Sequence, residues 1–325
     1  MNKLSEKQRF IKALKREKLV GRVPHFELVF YLTMESIGKV HPLHRSYYQW
    51  NQMSDVEKTA QIKDVAECYT EIARKYHHSA IFVHANPGDF ENTVRLLREI
   101  REQTGNEYFL MMHGDPTFPI PDGDNMMEFS CMLFDEKSKA KEMAQKRVED
   151  SIRWAENMAK QPDLLDGFAL CSDYCFNTNP FFSPSMFEEF ISPYLLRIIS
   201  EYRSMGFYSI KHSDGNIVPI VDQILECKPD ALHSLDPQGG VDLGYMKKHY
   251  GSKVAMIGNV NCGLLQTGTT EQCVEDIRRS LREGMDGYGY IFSTSNCVYK
   301  GMPLERYELM NSIWQQEGIY PDEKT

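Results

Sequence analysis

His212 and Asp214 flank Ser213 at the end of the apolar run 207–210, just ahead of the turn pair Gly215-Asn216. Residues two apart on a strand face the same side, so the imidazole and the carboxylate converge on one point just past the strand end. Groups of that type, so placed, can hold a metal or move a proton. Related endings recur. The run 108–112 closes in His113-Gly114-Asp115, and the run 166–170 leads to Asp173-Tyr174. Glu27, Asn261-Cys262 and Asn296-Cys297 add further polar groups at or beside apolar runs. The alternative is that strand-end His and Asp side chains satisfy loop backbone groups, and from the residues alone both readings stay open.

Histidine, carboxylate and thiolate are the ligands zinc takes, and three protein ligands with one open position make the catalytic type of site. Ligands drawn from several strands leave no spacing signature, and the chain has no CxxC pair. Cys68, Cys131, Cys227 and Cys273 fall in helical patterns and read as small buried hydrophobes. Cys171 and Cys175 flank a strand end and stay open between the two roles. His233 and His249 read as structural or solvated, and His77-His78 closes a helix, where a cation suits the dipole.

The elements that must position these residues follow from periodicity. Ser5-Glu6-Lys7-Gln8 forms a capping box ahead of Phe10, Ile11 and Leu14 at helical spacing, which predicts an opening helix. Apolar runs predict strands over 23–30, 80–85, 108–115, 166–174, 207–210, 231–237, 254–261 and 288–296. The first has Pro24 at its start, where the missing N–H is tolerated, and an unusual inward acid, Glu27. Helical patterns lie between them over 54–76, 92–104, 125–160 in two parts, after the Ser183-Pro184 cap, from 217, and over 241–249, 270–283 and 304–315. Eight strands alternating with helices predict a (β/α)8 TIM barrel, an α/β fold whose chemistry sits at the carboxyl ends of the strands. A doubly wound sheet is the alternative, but no Gly-rich phosphate loop follows the first strand. No linker divides the chain, so 1–325 is expected to be one barrel domain with an N-terminal helical extension.

The chain has 325 residues, 42% hydrophobic and 26% charged, which supplies an ordinary globular core. A net charge of −9 with no basic run argues against nucleic acid as partner. No stretch approaches the ~20 apolar residues of a membrane span, and Met1 to Lys7 lacks the apolar centre of a signal peptide. A soluble cytoplasmic protein is expected. The eight cysteines read as thiols and not as a disulfide framework.

Several stretches resemble the uroporphyrinogen decarboxylase superfamily, in particular its corrinoid-dependent methyltransferase-like branch. They are Asp173-Tyr174 with Asn177-Thr178-Asn179-Pro180-Phe181-Phe182-Ser183-Pro184, Lys211-His212-Ser213-Asp214-Gly215-Asn216, and His233-Ser234-Leu235-Asp236-Pro237. Ile257-Gly258-Asn259-Val260-Asn261-Cys262, Gly268-Thr269-Thr270 and Tyr290-Ile291-Phe292-Ser293-Thr294-Ser295-Asn296 continue the likeness, which holds in order and spacing over about 167–310. The resemblance implies a (β/α)8 barrel, in agreement with the strand count.

Two departures bear on function. The decarboxylases place arginines just after the first strand to hold porphyrinogen carboxylates, whereas this chain has Phe26-Glu27-Leu28-Val29-Phe30 there, so a polyanionic tetrapyrrole meets an acid. The zinc methyltransferases use His-x-Cys on the fifth strand and a second Cys after the eighth. Here these positions read His212-x-Asp214 and Asn296, with Cys297 next. The resemblance thus implies zinc on His212, with Asp214 in the cysteine's place and Cys262, Cys297 or Glu27 completing the site. It makes Asp173, Tyr174 and Asp214 the expected catalytic residues and Asn177, Asn216 and Asn296 the expected cofactor-binding ones.

The expected activity is zinc-dependent transfer of a methyl group between a small methyl ether, methylamine or thiol and the cobalt of a corrinoid carried by a partner protein. The alternatives are a cofactor-free lyase acting on a small carboxylated substrate, and a non-catalytic barrel that binds a tetrapyrrole or corrinoid partner. A corrinoid protein and a second copy of the chain are the candidate partners; nucleic acid and membrane are not.

Overall fold

Apolar runs too short for helices pair side by side in chain order. The computed structural model describes residues 4–321, so the ends of the expected domain, 1–3 and 322–325, and the start of the N-terminal stretch read for a signal peptide lie outside the described residues. The strands are β1 (Gly21–Arg22), β2 (Ala80–Phe82), β3 (Phe109–His113), β4 (Gly167–Leu170), β5 (Tyr208–Ser213), β6 (Ala231–Ser234), β7 (Ala255–Ile257), β8 (Tyr290–Ile291) and β9 (Ile319–Tyr320). β2 to β8 form a seven-stranded, all-parallel sheet in sequence order, while β1 and β9 pair antiparallel. β2, β4, β6 and β7 are buried at every position, as parallel strands are when helices cover one face and the sheet's own curl covers the other. The architecture is the TIM-barrel-like α/β fold that the alternation predicts.

One element departs from expectation. The run 23–30 is not a regular strand and pairs in register only at His25 with Phe292 and at Phe30 with Val298. Its backbone still links the two edges of the sheet: Phe26 N donates to Phe292 O at 3.1 Å, Phe292 N to Pro24 O at 2.9 Å, and Ser79 N to His25 O at 2.6 Å. Pro24 supplies no N–H, so at that residue the segment can only accept and not donate. Most other strands are shorter than their apolar runs, whereas β5 extends past its run because His212 and Ser213 pair with His233 and Ser234.

The helices start where the capping residues place them. Ser5 and Ser54 each close a capping box, Thr269 a third, and Ser183 caps the helix Pro184–Phe190. The long pattern after residue 125 is two helices, Met126–Asp135 and Lys137–Ala159, meeting at Glu136. Helix Glu6–Leu14 lies under the amino ends of the strands, with Phe10 against Phe26 and Phe109 at 5.9 and 4.8 Å. All eight cysteines are free thiols. Cys68, Cys227 and Cys273 are buried as expected, but Cys131 is exposed, because helix Met126–Asp135 buries only Leu133 fully. Among the described residues no helix is long and apolar enough to cross a membrane.

Candidate metal centre at the strand ends

β5 carries Lys211, His212 and Ser213. Its alternation sends Lys211 to one side and His212 to the other, and its register sets His212 beside His233 and Ser213 beside Ser234 on β6. His212 and His233 meet through their Nδ1 atoms at 2.8 Å. The other ring nitrogen of His212 faces the mouth of the barrel, 3.6 Å from Asp173 Oδ1 and 3.7 Å from Asp214 Oδ1. Among the described residues, Asp173, His212 and Asp214 form a group of three metal-ligating side chains with one ligand atom each, all within 4.8 Å of one another.

One main-chain donor and one side-chain donor fix the two carboxylates. Asp214 N donates to Asp173 Oδ1 at 2.8 Å, and Asn296 Nδ2 donates to Asp214 Oδ2. The chain turns away directly after Asp214 at Gly215, whose φ is +75° and where a Cβ would stand 2.2 Å from Phe176 O. Only glycine fits there. The His212 side chain is 5% exposed, Asp214 29% and Asp173 41%, so the group opens to solvent on the Asp173 side.

Asp214 Oδ1 is buried without a hydrogen-bond partner. Burial pushes the Asp214 carboxyl pKa up; His212 opposes that shift, and Asp173 adds to it. A buried carboxylate oxygen left unpaired costs free energy, and a cation between it, Asp173 and His212 Nε2 would supply what it lacks. Zinc–ligand bonds of roughly 2.0–2.2 Å put tetrahedral ligand atoms about 3.4 Å apart, close to the spacings found. One imidazole and two carboxylates is a harder set than histidine with thiolates, and zinc accepts it.

Beneath the group, Lys211 Nζ is held by Asp115 Oδ2 at 2.7 Å and by the carbonyls of Leu170 and Ser172 at 3.1 and 2.7 Å. Asp115 also accepts from Thr117 N and Ser172 N. This knot ties the ends of β3, β4 and β5 together under the site. Asp115 is therefore part of the scaffold, while His113 is exposed.

Tyr174 is fully buried, with its hydroxyl 2.7 Å from that of Thr117 and Lys211 Nζ 3.9 Å over its ring, so it is turned away from the mouth. Burial also pushes its pKa well up, so the phenol keeps its proton. Glu27 lies inside the barrel, accepting from Thr294 Oγ1 at 2.5 Å and Ser293 Oγ at 3.4 Å, and stands outside the group of three. Cys262 is buried with its thiol 3.7 Å from the carbonyl of Cys297. Burial pushes Cys262 up to about 11, and burial and then the Asp214 charge push Cys297 up to about 12. Asn296 orients Asp214. Asn216 serves the loops, its N donating to Asn177 O at 3.0 Å and its Nδ2 to Thr178 O at 3.1 Å, and Asn177 is exposed beside it.

His233, read from sequence as structural or solvated, is the direct partner of His212. The signal was present in the repeated His-Ser ending of two consecutive strands, His212-Ser213 and His233-Ser234, which the register sets side by side.

The uroporphyrinogen decarboxylase (URO-D) family model matches residues 122–316, more than half of the chain. Among solved structures, a methyltransferase from Methanosarcina mazei aligns over 97% of this chain and 99% of its own, with 16% identity and a TM-score of 0.72. A D-psicose 3-epimerase from Clostridium cellulolyticum H10 aligns over 82% and 92% with 12% identity and a TM-score of 0.45. An N-acetylneuraminate lyase from Mycoplasma synoviae aligns over 84% and 68% with 13% identity and a TM-score of 0.39. No curated protein matches the chain.

Proposed function

Because the chain belongs to the uroporphyrinogen decarboxylase family, we propose that it is an enzyme of that family's methyl-transferring kind. It would use a metal, zinc by preference, and take a methyl group from a small methyl ether or methylamine for delivery to a corrinoid on a partner protein. The observation that carries the reading is the unpartnered, buried Oδ1 of Asp214 facing His212 Nε2 and Asp173 Oδ1. The fold shared with the Methanosarcina mazei methyltransferase supports it, as does the absence of arginine from 23–33, where Glu27 stands instead.

His212 Nε2, Asp173 Oδ1 and Asp214 Oδ1 would hold the metal. A metal so held supplies Lewis acidity to the heteroatom that carries the methyl group. The oxygen-rich set suits that role better than activation of a substrate thiol. The chain's own contribution is positional: Asn296 fixes the plane of the Asp214 carboxylate, the Asp214 N–H fixes Asp173, and Gly215 lets the loop leave without covering them. Held ligands need little rearrangement as charge develops on the substrate.

The test is metal analysis by plasma mass spectrometry on wild type beside His212→Ala, followed by methyl transfer to cob(I)alamin from methoxylated aromatics and methylamines. About one zinc per chain, lost in the variant together with transfer, is the expected result. A metal-free wild type that releases carbon dioxide from small carboxylated substrates would replace this reading with a lyase.

A further inference from the structure

The polar side chains below the metal group form a single line through the barrel interior, and each hydrogen bond in it can be given a direction. The line ends at the Tyr76 carbonyl, 3.3 Å from His25 Nδ1. A carbonyl only accepts, so His25 Nδ1 carries the ring proton and His25 Nε2 is an acceptor. Asn311 Nδ2 stands 3.4 Å from His25 Nδ1 but donates to the same carbonyl at the shorter 3.0 Å, which leaves His25 Nδ1 its own proton. Glu27 Oε1 at 3.2 Å and the Tyr307 hydroxyl at 3.4 Å both face His25 Nε2, and the nearer carboxyl takes the donor role there as a protonated acid. Its setting agrees, since burial pushes Glu27 up to about 8 against the hydrogen bonds from Thr294 and Ser293.

The other oxygen of Glu27 accepts from Thr294 Oγ1 and from Ser293 Oγ at 3.4 Å. With its own proton directed to Glu27, Ser293 Oγ is left to accept, and His233 Nε2 lies 3.5 Å away. His233 Nε2 therefore carries the proton and His233 Nδ1 is bare. His212 Nδ1, 2.8 Å from that bare nitrogen, must then hold a proton, and its Nε2 is left as a lone pair aimed at Asp173 and Asp214.

We propose that this line is a tautomer relay: through His25, Glu27, Ser293 and His233, the Tyr76 carbonyl sets His212 as the Nδ1–H form, with Glu27 and His233 as positioning residues. His25, Glu27, His212, His233 and Ser293 are all at most 4% exposed, so water does not compete for these bonds. A simpler role for Glu27, that of a core acid satisfied by neighbouring hydroxyls, explains the Thr294 contacts. It does not explain why the two residues on either side of it are a histidine and a serine that leads to another histidine. In naming Nε2 a ligand atom the inference rests on the metal reading; the tautomer itself does not.

The test uses metal-free full-length protein labelled with 15N-histidine, with His212 assigned by loss of its signals in His212→Gln. Long-range proton–nitrogen correlation spectra then report which ring nitrogen is protonated. The wild type is expected to show the Nδ1–H form of His212. Glu27→Gln, whose amide both accepts and donates, is expected to keep it. Glu27→Leu and His233→Phe are expected to give a mixture of tautomers. Zinc affinity, measured against a chromophoric chelator, should fall about 10- to 100-fold in those two variants and stay within about threefold in Glu27→Gln. An Nε2–H form in the wild type would overturn the relay, and so would a Glu27→Leu protein with unchanged tautomer and affinity. The wild-type spectrum decides the matter even where Glu27→Leu does not fold. A wild type that binds no zinc would count against the metal reading alone, since the tautomer is read without metal.

Discussion

Lys211 and Asp115 meet at 2.7 Å with 1% and 0% of their side chains exposed, an ion pair inside the barrel wall and not at its mouth. Burial alone would push the Asp115 carboxyl up, but Lys211, Thr117 and the Ser172 N–H outweigh it and hold it down at about 2. Removing one partner of such a pair leaves a buried charge uncompensated, at a cost of about 3–5 kcal/mol. Lys211→Met should lose that much in urea unfolding at pH 7. Because the folded pKa lies below the ordinary value of 3.8, the pair's contribution is present above about pH 4 and is lost as pH falls toward 2. The variant's deficit should therefore shrink over that acid range. A deficit that holds constant from pH 7 to pH 2 would show that the pair does not set Asp115.

Asn296→Ala should weaken zinc binding about 10- to 100-fold without changing the fold, because Asn296 touches the Asp214 carboxylate and not the proposed ion. Asp214→Ala should lose more. Competition titrations with circular dichroism as a fold check decide this, and equal affinities for wild type and Asn296→Ala would remove Asn296 from the site.

Glu27 gives stability a slope of the opposite sign. Its folded pKa is raised from 4.5 to about 8, so its contribution is complete below about pH 4.5 and is lost as pH rises through 8. Glu27→Gln removes that slope. Its melting temperature relative to wild type should rise from pH 5 to pH 8, with a limit near 1.4 kcal/mol per pH unit. Parallel melting curves across that range would contradict a protonated Glu27.

Thiol labelling should find one fast cysteine per chain. Cys131 is exposed, whereas Cys262 and Cys297 are raised to about 11 and 12, mainly by burial, and are protonated at neutral pH. With a colorimetric disulfide reagent at pH 7.5, the fast phase should disappear in Cys131→Ser. Rapid labelling of Cys297 would mean that it is a thiolate and belongs with the ligands after all.

Much of this was legible in the sequence where local rules act. Alternating apolar runs and capping boxes at Ser5, Ser54 and Thr269 locate strands and helices, because periodicity and end-capping are properties of neighbours in the chain. His212 and Asp214 were legible as a pair for the same reason. Asp173 joins them through a strand-to-strand contact 41 residues away, which spacing cannot reveal, though its place at a strand end could. The irregular 23–30 segment was not legible, since its apolar pattern is that of a strand and only the outcome of pairing shows otherwise. The depth of His233 and Glu27 was not legible for a different reason: a histidine or an acid in an apolar run reads the same whether it lines a site or sits beneath it, and only the depth along the strand distinguishes them.

The bond from the Asp214 N–H to Asp173 carries one more consequence. It comes from the main chain, so no side-chain substitution at position 214 other than proline deletes it. Whatever residue stands there, Asp173 keeps its donor. Any shift of the loop after β5 carries the donor and the neighbouring carboxylate along together. Side chains around the mouth can therefore change, and retune which substrate fits, while the bond that orients Asp173 stays in place.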